Sequence, residues 1–287
     1  MIKTENLTRT YGKVVALKGI DLTINDGEMV VIIGKSGSGK STLLNLLGGL
    51  DAPTEGKIFY NDTEIGRIND TELSRFRLNN VGFVFQFFDL ISELTAEENI
   101  LLPSRLAKKE GEGAEGLYSA LDINDRIKHY PSELSGGQQQ RAAIARALIN
   151  SPDVLLCDEP TGNLDKRSGE EVMALLKELN GKGKTVIIVT HDDEVARQCQ
   201  RVIEISDGEI VLSSIMIIVM HYATETDTSR EEKLNKINGI IDNSLCNLTE
   251  YNDLLLRNDR SNPIRTPKFR SGFSYARISR KYAVCRC

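Results

Sequence analysis

A glycine-rich segment near the N-terminus has the residue types and spacing that bind phosphate. The segment Gly34-Lys-Ser-Gly-Ser-Gly-Lys-Ser41 follows an apolar run, Glu28 to Ile33, and precedes the helix-forming run Thr42 to Leu47. Glycines let successive backbone N–H groups surround an anion, and the next helix adds its positive N-terminal end. In this context the pattern GxxxxGK[ST] binds nucleotide phosphates. We therefore predict that Lys40 neutralises the β- and γ-phosphates of a nucleotide and that Ser41 binds Mg²⁺.

Two acidic residues end a second apolar run much later in the chain. Val154 to Cys157 is followed directly by Asp158 and Glu159. If this run is a strand of an open α/β sheet, both acids lie at its carboxyl end, where such sheets bind ligands. Asp158 then suits Mg²⁺, and Glu159 suits polarising an attacking water. Taken alone, the pattern is also typical of a buried strand that simply reaches the surface.

A second candidate anion site is the segment Leu134-Ser-Gly-Gly-Gln138, which opens a helical run from Gln139 to Leu148. Ser135 can cap that helix, while Gly136 and Gly137 leave backbone N–H groups accessible. By itself this pattern is found at many ordinary helix N-termini. Beside a complete phosphate loop, it indicates a second anion site that one nucleotide does not need within the same chain.

The elements that must position these residues follow from the hydrophobic pattern. Ile2 to Arg9 and Leu17 to Ile24 alternate as half-buried strands do. Continuous apolar runs occupy Glu28 to Ile33, Val154 to Cys157 and Val186 to Thr190. Such runs, separated by helical stretches, predict a parallel sheet with crossovers. Thr95 to Asn150 is rich in helix formers, and we interpret it as a helical subdomain, about residues 93–150, inserted in the sheet domain.

Composition excludes several classes of protein. The chain has 287 residues, of which 40% are hydrophobic, so disorder throughout is excluded. The longest apolar stretch, Ile210 to Met220, is shorter than the roughly 20 residues of a bilayer span. No apolar signal segment follows Met1, so we expect a cytoplasmic protein. The five cysteines have neither CxxC nor Cys/His ligand spacing, which indicates reduced thiols, no disulfide partner and no zinc site.

Charge divides the chain into two parts. Residues 1–212 contain 24 basic and 33 acidic residues, a net charge of −9, whereas residues 213–287 contain 12 and 8, a net charge of +4. The stretch from Arg260 to Cys287 has eight basic residues and no acidic one. Such an end can bind anionic lipid or RNA, or it can be a solvated extension. We expect the extension: a largely irregular tail, disordered or partly helical, with no nucleic-acid partner.

Together these motifs resemble the ATP-binding cassette family, in content and in order. After the phosphate loop come Gln86, Leu134 to Gln138, Val154 to Glu159, Gly162-Asn-Leu-Asp165 and His191. The resemblance covers residues 1–212 and ends after the turn Asp207-Gly208. It implies an α/β fold of the P-loop NTPase type, with a mixed or parallel sheet core, an antiparallel β subdomain and the inserted helical subdomain.

The resemblance also implies roles in ATP hydrolysis for single residues. Glu159 is the general base, His191 contacts the γ-phosphate, and Gln86 senses Mg²⁺ and the attacking water. Lys40 completes the catalytic set, and the implied metal ligands are Ser41, Gln86 and Asp158. Tyr11 stacks on adenine. The full set that the resemblance assigns to ATP binding is Tyr11, Gly34, Lys35, Ser36, Gly37, Ser38, Gly39, Lys40, Ser41, Thr42, Ser135, Gly136, Gly137, Gln138 and Asp165.

Family architecture accounts for the second anion site. Two cassettes dimerise head to tail, so that Ser135 and Gly137 contact the ATP held by the other copy's phosphate loop, with Asp165 near the interface. Phe83 to Ile91, Thr95 to Pro103, Gln138 to Gln140 and Gly162-Asn163 are similar to one branch of the family. That branch contains the macrolide-export, lipoprotein-release, bacitracin-resistance and cell-division cassettes. It implies an export-type ATPase subunit on the inner face of the cell membrane, attached through a separate permease.

The same residues leave other interpretations open. In the family the Gln86 loop contacts a helix of the membrane subunit, and Phe87, Phe88, Leu90 and Ile91 either form an apolar patch for it or pack inside the helical subdomain. A cassette that acts on ribosomes or DNA fits poorly, because only about 93 residues separate Ser41 from Leu134. The remaining alternative is a soluble regulatory cassette that is not coupled to transport.

Overall fold

The computed structural model describes residues 1–214, and the expectations about the basic tail beyond Ser214 lie outside these residues. Within this part of the chain the strands are β1 Ile2–Tyr11, β2 Val14–Ile24, β3 Met29–Ile33, β4 Glu55–Tyr60, β5 Thr63–Glu64, β6 Val81–Val84, β7 Val154–Asp158, β8 Thr185–Val189, β9 Arg201–Ser206 and β10 Glu209–Ser214. The α-helices are α1 Lys40–Leu47, α2 Asp70–Asn80, α3 Ala96–Leu106, α4 Ala114–Ala120, α5 Gly136–Leu148, α6 Lys166–Gly181 and α7 Asp193–Ala196.

A mixed sheet of six strands positions the predicted chemistry. Its order is β10-β9-β3-β8-β7-β6. All neighbours from β9 to β6 are parallel, and only β10 pairs antiparallel, with β9. The carboxyl ends of β3, β7 and β8 therefore meet at one edge, since Asp158 of β7 lies beside Val189 of β8. The predicted α/β fold with a mixed sheet core is confirmed.

The three central strands are apolar throughout because both faces of the sheet are covered. Val31 of β3 belongs to a core cluster with Ile100, Ile144 and Leu176 of helices α3, α5 and α6. Val30 and Ile32 face the opposite cluster, where Leu43, Leu44, Leu46 and Leu47 of α1 are fully buried. Each such side chain contributes roughly 1.5–3 kcal/mol on burial. This packing fixes α1, and with it the loop that precedes the helix.

A second sheet, antiparallel and of order β2-β1-β4-β5, packs against the α1 side of the core. β1 and β2 pair along their length, with register shifts between Thr4 and Thr10. This is the expected antiparallel β subdomain. Strand β2 of this sheet lies against the phosphate loop, where Ala16 comes close to Gly39.

The segment between β6 and β7 is helical, as its composition predicts. Thr95 caps α3 with a capping box to Glu98, and buried Asn99 donates to the carbonyls of Ile91, Leu94 and Thr95.

No helix of residues 1–214 is long and apolar enough to cross a membrane. Cys157 and Cys199 are free thiols, and burial raises the pKa of Cys199 to about 12.

Candidate active site

A cleft of about 540 Å³ opens at the edge of the sheet where β3, β7 and β8 end. Of the predicted site residues it gathers the following, from four separate segments: Gly34, Lys35, Ser36, Gly37, Lys40, Ser41, Thr42, Gln86, Asp158, Glu159 and His191. All predicted catalytic and metal-binding side chains are in this set. The predicted site residues that do not line the cleft are Tyr11, Ser38, Gly39, Asp165 and Ser135 to Gln138.

Two glycines allow the loop from Gly34 to Gly39 to press against neighbouring backbone. Gly39 has φ +93°, and a Cβ there would lie 2.3 Å from the carbonyl oxygen of Ala16 on β2. A Cβ on Gly34 would lie 2.2 Å from the carbonyl oxygen of Ile205 on β9. The loop is thus held between strands of the two sheets, at positions that only glycine fits. Its curvature leaves room for a phosphate chain against backbone N–H groups.

The turn Asp207-Gly208 supports the same loop from behind. Gly208 N–H donates to the carbonyl oxygen of Ser38 at 2.9 Å, and Lys18 N–H donates to the carbonyl oxygen of Gly208 at 2.8 Å. One hairpin between β9 and β10 therefore joins the loop to β2. The Ser38 hydroxyl is buried and has no hydrogen-bond partner in the described residues.

The side chains at the start of α1 fit a phosphate and a magnesium ion. Lys40 Nζ donates to the carbonyl oxygen of Gly34 at 2.9 Å, which holds the ammonium group at the mouth of the loop. Ser41 Oγ donates to Asp158 Oδ1 at 3.3 Å. Burial raises the pKa of Asp158, and nearby Glu159 adds to the effect, whereas Ser41 and Lys40 oppose it. Two adjacent oxygen ligands suit Mg²⁺, which takes its remaining ligands from phosphates and water.

Glu159 is held by the end of β8. Its backbone has φ +46°, and its N–H donates to the carbonyl oxygen of Val189 at 2.8 Å. Thr190 Oγ1 donates to Glu159 Oε2 at 2.8 Å, and His191 N–H donates to Oε1 at 3.1 Å. His191 Nδ1 also lies 2.6 Å from Oε1. The Glu159 side chain is 13% exposed and that of His191 is 72% exposed, so the carboxylate is fixed while the ring faces the cleft.

Gln86 lies across the cleft on the loop after β6. Its carbonyl oxygen accepts from Asn163 Nδ2 at 2.8 Å, which ties this loop to the segment after β7. Neither Asn163 nor Thr190 is among the site residues predicted from the sequence, in which Thr190 marks only the end of an apolar run. Thr190 had one available signal: it is a polar residue at the carboxyl end of a buried strand, directly before His191.

The second predicted anion site is a well-formed helix N-terminus elsewhere in the chain. Ser135 caps α5: its Oγ accepts from Gln138 N–H at 3.3 Å, and Gln138 Oε1 accepts from Ser135 N–H at 2.9 Å. Asp165 caps α6 by accepting from Ser168 N–H at 3.0 Å and Ser168 Oγ at 2.7 Å. These hydrogen bonds to Ser168 lower the pKa of Asp165. Both residues are thus placed by their helices and not by the cleft.

Tyr11 lies at the end of β1, outside the cleft lining. Its hydroxyl donates to Asp51 Oδ2 at 2.5 Å. Its ring lies 4.5 Å from the Arg9 guanidinium carbon, which stacks on one face. Tyr11 is 45% exposed, so the ring remains accessible. The geometry leaves its predicted stacking on adenine untested.

The apolar segment after Gln86 is divided between surface and interior. Phe87 is 72% exposed and Ile91 40% exposed, whereas Leu90 packs against the core of the helical segment. Phe88 and Asp89 have φ +63° and +48°. Arg146 of α5 holds this turn: Nη2 donates to the carbonyl oxygen of Phe88 at 2.7 Å, and Nη1 donates to that of Asp89. Leu90 therefore packs inside, as one interpretation predicted, whereas Phe87 and Ile91 are exposed, and their contact with a membrane subunit stays a prediction.

Residues 17–162 match the sequence profile of the ABC transporter family. The chain belongs to this family. A macrolide export ATP-binding/permease protein of Bartonella henselae is 48% identical over 232 residues, which cover 78% of this chain and 35% of the relative. An uncharacterised ABC transporter ATP-binding protein of Methanocaldococcus jannaschii is 48% identical over 219 residues, which cover 74% of this chain and 98% of the relative.

A solved structure gives the same result for the fold. The ATP-binding cassette MJ0796, a dimer bound to ADP and Pi, matches with a TM-score of 0.69 and 45% identity, over 75% of this chain and 98% of that one. The chain spans about a third of the length of the Bartonella macrolide export proteins it matches. Family membership confirms the expected class of protein, an ABC-type ATP-binding cassette ATPase.

Proposed function

We propose that this cassette hydrolyses ATP in a site shared between two copies, and that dimer closure drives a separate membrane permease of the export type. The observation that carries the proposal is the cleft, which brings Lys40, Ser41, Asp158, Glu159 and His191 together from separate segments of the chain. Phosphoryl transfer needs little covalent help from a protein. It is therefore sufficient that such a set of side chains positions the reactants and neutralises the charge on the phosphates.

The proposed reaction assigns one task to each side chain. Lys40 and the N–H groups of the phosphate loop hold the β- and γ-phosphates. The oxygen of a water attacks the γ-phosphorus, the bond from that phosphorus to the bridging oxygen breaks, and ADP leaves with the electron pair. The water proton passes to Glu159, while Gln86 orients the water and His191 contacts the γ-phosphate. Mg²⁺, when bound by Ser41 and Asp158, neutralises charge on the phosphate oxygens.

The shared site is supported by the position of Ser135 to Gln138, which lie outside the cleft of their own chain. Ser135 to Gln138 present a capped helix N-terminus, yet they do not line the cleft of their own chain. A helix N-terminus that presents free N–H groups binds anions well. In a head-to-tail dimer the Ser135 helix of a second copy would close over the γ-phosphate. The solved relative MJ0796 is a dimer.

The permease partner and the location at the inner face of the membrane are supported by the relatives and by one surface feature. The Bartonella relatives are named macrolide export ATP-binding/permease proteins, and this chain spans about a third of their length. Phe87 and Ile91, in the segment that follows Gln86, are exposed apolar side chains. Exposed apolar groups of this kind suit a protein partner. We propose that the partner permease docks here.

Replacement of Glu159 tests the proposed reaction. Glu159→Gln should retain ATP binding, slow hydrolysis by about 10² to 10⁴, the range for loss of a general base, and accumulate an ATP-bound dimer in sedimentation. Glu178→Gln is the matched control, because Glu178 lies on the exposed face of α6 and pairs only with Lys182 in the described residues. Wild-type turnover in Glu159→Gln would disprove the assignment of the base. A strictly monomeric ATP complex would disprove the shared site.

A further inference from the structure

Thr190 is a fully buried polar residue beside the cleft to which the proposed reaction gives no task. It follows β8 directly, and its N–H donates to the carbonyl oxygen of Ile32 on β3 at 3.1 Å. Its backbone is therefore fixed by the central strands. Its hydroxyl makes two contacts: it donates to Glu159 Oε2 at 2.8 Å and accepts from Asp192 N–H at 3.0 Å.

These two contacts orient the hydroxyl in one direction. A backbone N–H can only donate, so the hydroxyl oxygen must accept from Asp192. A threonine hydroxyl has one proton, and the remaining neighbour of that proton is the carboxylate of Glu159. Asp192 N–H thus ensures that the Thr190 proton points at Oε2. A hydrogen bond to an ionised acceptor of this kind is among the stronger ones in proteins.

The His191 ring contacts the carboxylate from an exposed position, unlike the buried Thr190 hydroxyl. The ring contacts Oε1 in this structure. We assign the contact with the γ-phosphate to Nδ1, the nitrogen now on Oε1, so that the ring leaves the carboxylate when nucleotide is bound. The contacts that persist are then the Thr190 hydroxyl on Oε2 and the His191 N–H on Oε1.

We propose that Thr190 is a positioning residue: its oriented hydroxyl fixes Oε2 of Glu159, so that Oε1 is the oxygen that accepts the proton of the attacking water. The inference rests on the proposed role of Glu159 as general base. Glu159, which has a left-handed backbone, directly follows β7, and Thr190 directly follows the neighbouring strand β8. Thr190 itself touches neither water nor nucleotide in this scheme.

The test is Thr190→Val, which replaces the hydroxyl by a methyl group of similar size. The kcat for ATP hydrolysis should fall by about 10-fold or more, the effect of losing a hydrogen bond to a charged group. The Kd for ATP should remain within about 2-fold, because Lys40 and the loop are untouched. Thr190→Ser, which retains the donor, should restore most of the rate.

Thr185→Val is the matched structural control. Thr185 is also buried, at the opposite end of β8, and its hydroxyl accepts from Gly27 N–H at 2.9 Å. Both valine variants leave a backbone N–H without its acceptor, so both should lose stability to a similar degree. Only Thr190→Val should lose kcat. If Thr190→Val does not fold, Thr190→Cys takes its place with the same expectation, because a thiol is a weak donor.

A double variant separates positioning from a general structural effect. In the Glu159→Gln background, Thr190→Val should cause no further loss of the residual rate, because the carboxylate through which Thr190 acts is gone. An equal loss in both backgrounds would overturn the inference, and so would a wild-type kcat in Thr190→Val. Full activity of Glu159→Gln would instead overturn the proposed base. Slow Glu159→Gln with fully active Thr190→Val would overturn the Thr190 inference alone.

Discussion

At the scale of single residues, Gly37 and Gly39 both have positive φ but differ in their surroundings. A Cβ on Gly37, at φ +78°, would meet nothing within 4 Å, whereas a Cβ on Gly39 would lie 2.3 Å from the Ala16 oxygen. Gly37→Ala should therefore cost only the left-handed strain, about 1 kcal/mol. Gly39→Ala should cost about 3 kcal/mol or more, because backbone must move as well. Urea unfolding measures both values.

The same pair separates stability from nucleotide binding. Because the loop must move away from β2, Gly39→Ala should also weaken ATP binding in titration calorimetry, while Gly37→Ala should bind more nearly like the wild type. Equal unfolding free energies for the two variants would contradict the close approach of Gly39 to Ala16.

The sequence predicts which residues reach the cleft but not how they hold one another. Lys40, Ser41, Asp158 and Glu159 follow from local patterns, because a glycine-rich turn or a strand end identifies them without knowledge of the rest of the chain. The contact between Thr190 and Glu159 joins residues that directly follow different strands, and it depends on β7 and β8 being neighbours in register. The left-handed backbone of Glu159 likewise has no signal in a residue type that rarely adopts it.

At the scale of elements, Arg146 joins α5 to the turn after Gln86. Burial lowers the pKa of Arg146, and nearby Asp89 opposes the effect. The guanidinium group donates hydrogen bonds to two backbone carbonyls, those of Phe88 and Asp89. Arg146→Met should lower the free energy of unfolding by about 2 kcal/mol, since both carbonyls lose a charged donor. The free energy of unfolding of Arg146→Lys should lie between those of the wild type and Arg146→Met, because an ammonium group lacks the planar fork of a guanidinium group.

Chemical denaturation of these variants is compared with that of Arg67→Met. Arg67 is 73% exposed and pairs only with Glu64 in the described residues, so its loss should change stability little. If Arg146→Met were as stable as Arg67→Met, the turn at Phe88 and Asp89 would not depend on α5.

Several elements with a continuous or periodic apolar set were predicted, whereas α2, β4 and β5 were missed. β3, β7, β8, α1 and α5 each bury a continuous or periodic apolar set. Helix α2 has no buried residue, so hydrophobic periodicity gives no signal for it, and its start depends on Asn69 accepting from Glu72 N–H. β4 and β5 are also absent from the sequence prediction, because β4 pairs with the distant β1 and β5 is a two-residue strand that pairs with β4.

At the scale of the whole molecule, the proposed shared site predicts complementation between two inactive variants. Lys40→Ala should lose nucleotide binding, and Ser135→Arg should block closure by placing a bulky side chain against the other copy's γ-phosphate. In a mixed dimer one site carries both defects and the other carries neither. ATPase activity should therefore return on mixing, up to about one intact site per mixed dimer when one site suffices.

Each variant alone, at the same total concentration, is the control for this experiment. Mixing either variant with Glu178→Gln, which keeps both motifs, sets the activity expected of a dimer with one damaged chain. Mixed dimers, verified by two affinity tags, that show no activity above the separate variants would mean that both sites must be intact together or that each site belongs to one chain. The ATP-bound dimer of Glu159→Gln distinguishes these two outcomes.

The hairpin between β9 and β10, which supports the phosphate loop, determines how late during synthesis the loop can adopt its final structure. A ribosome releases Gly34 to Ser41 early, but Ile205 and Gly208, against which the loop rests, leave the exit tunnel only after nearly the whole cassette. β3 must also wait for both of its neighbours in the sheet, β8 and β9. A nascent chain thus carries its complete phosphate-binding sequence long before it can bind ATP. The nucleotide can stabilise the finished cassette by mass action, but it cannot template the folding of the growing one.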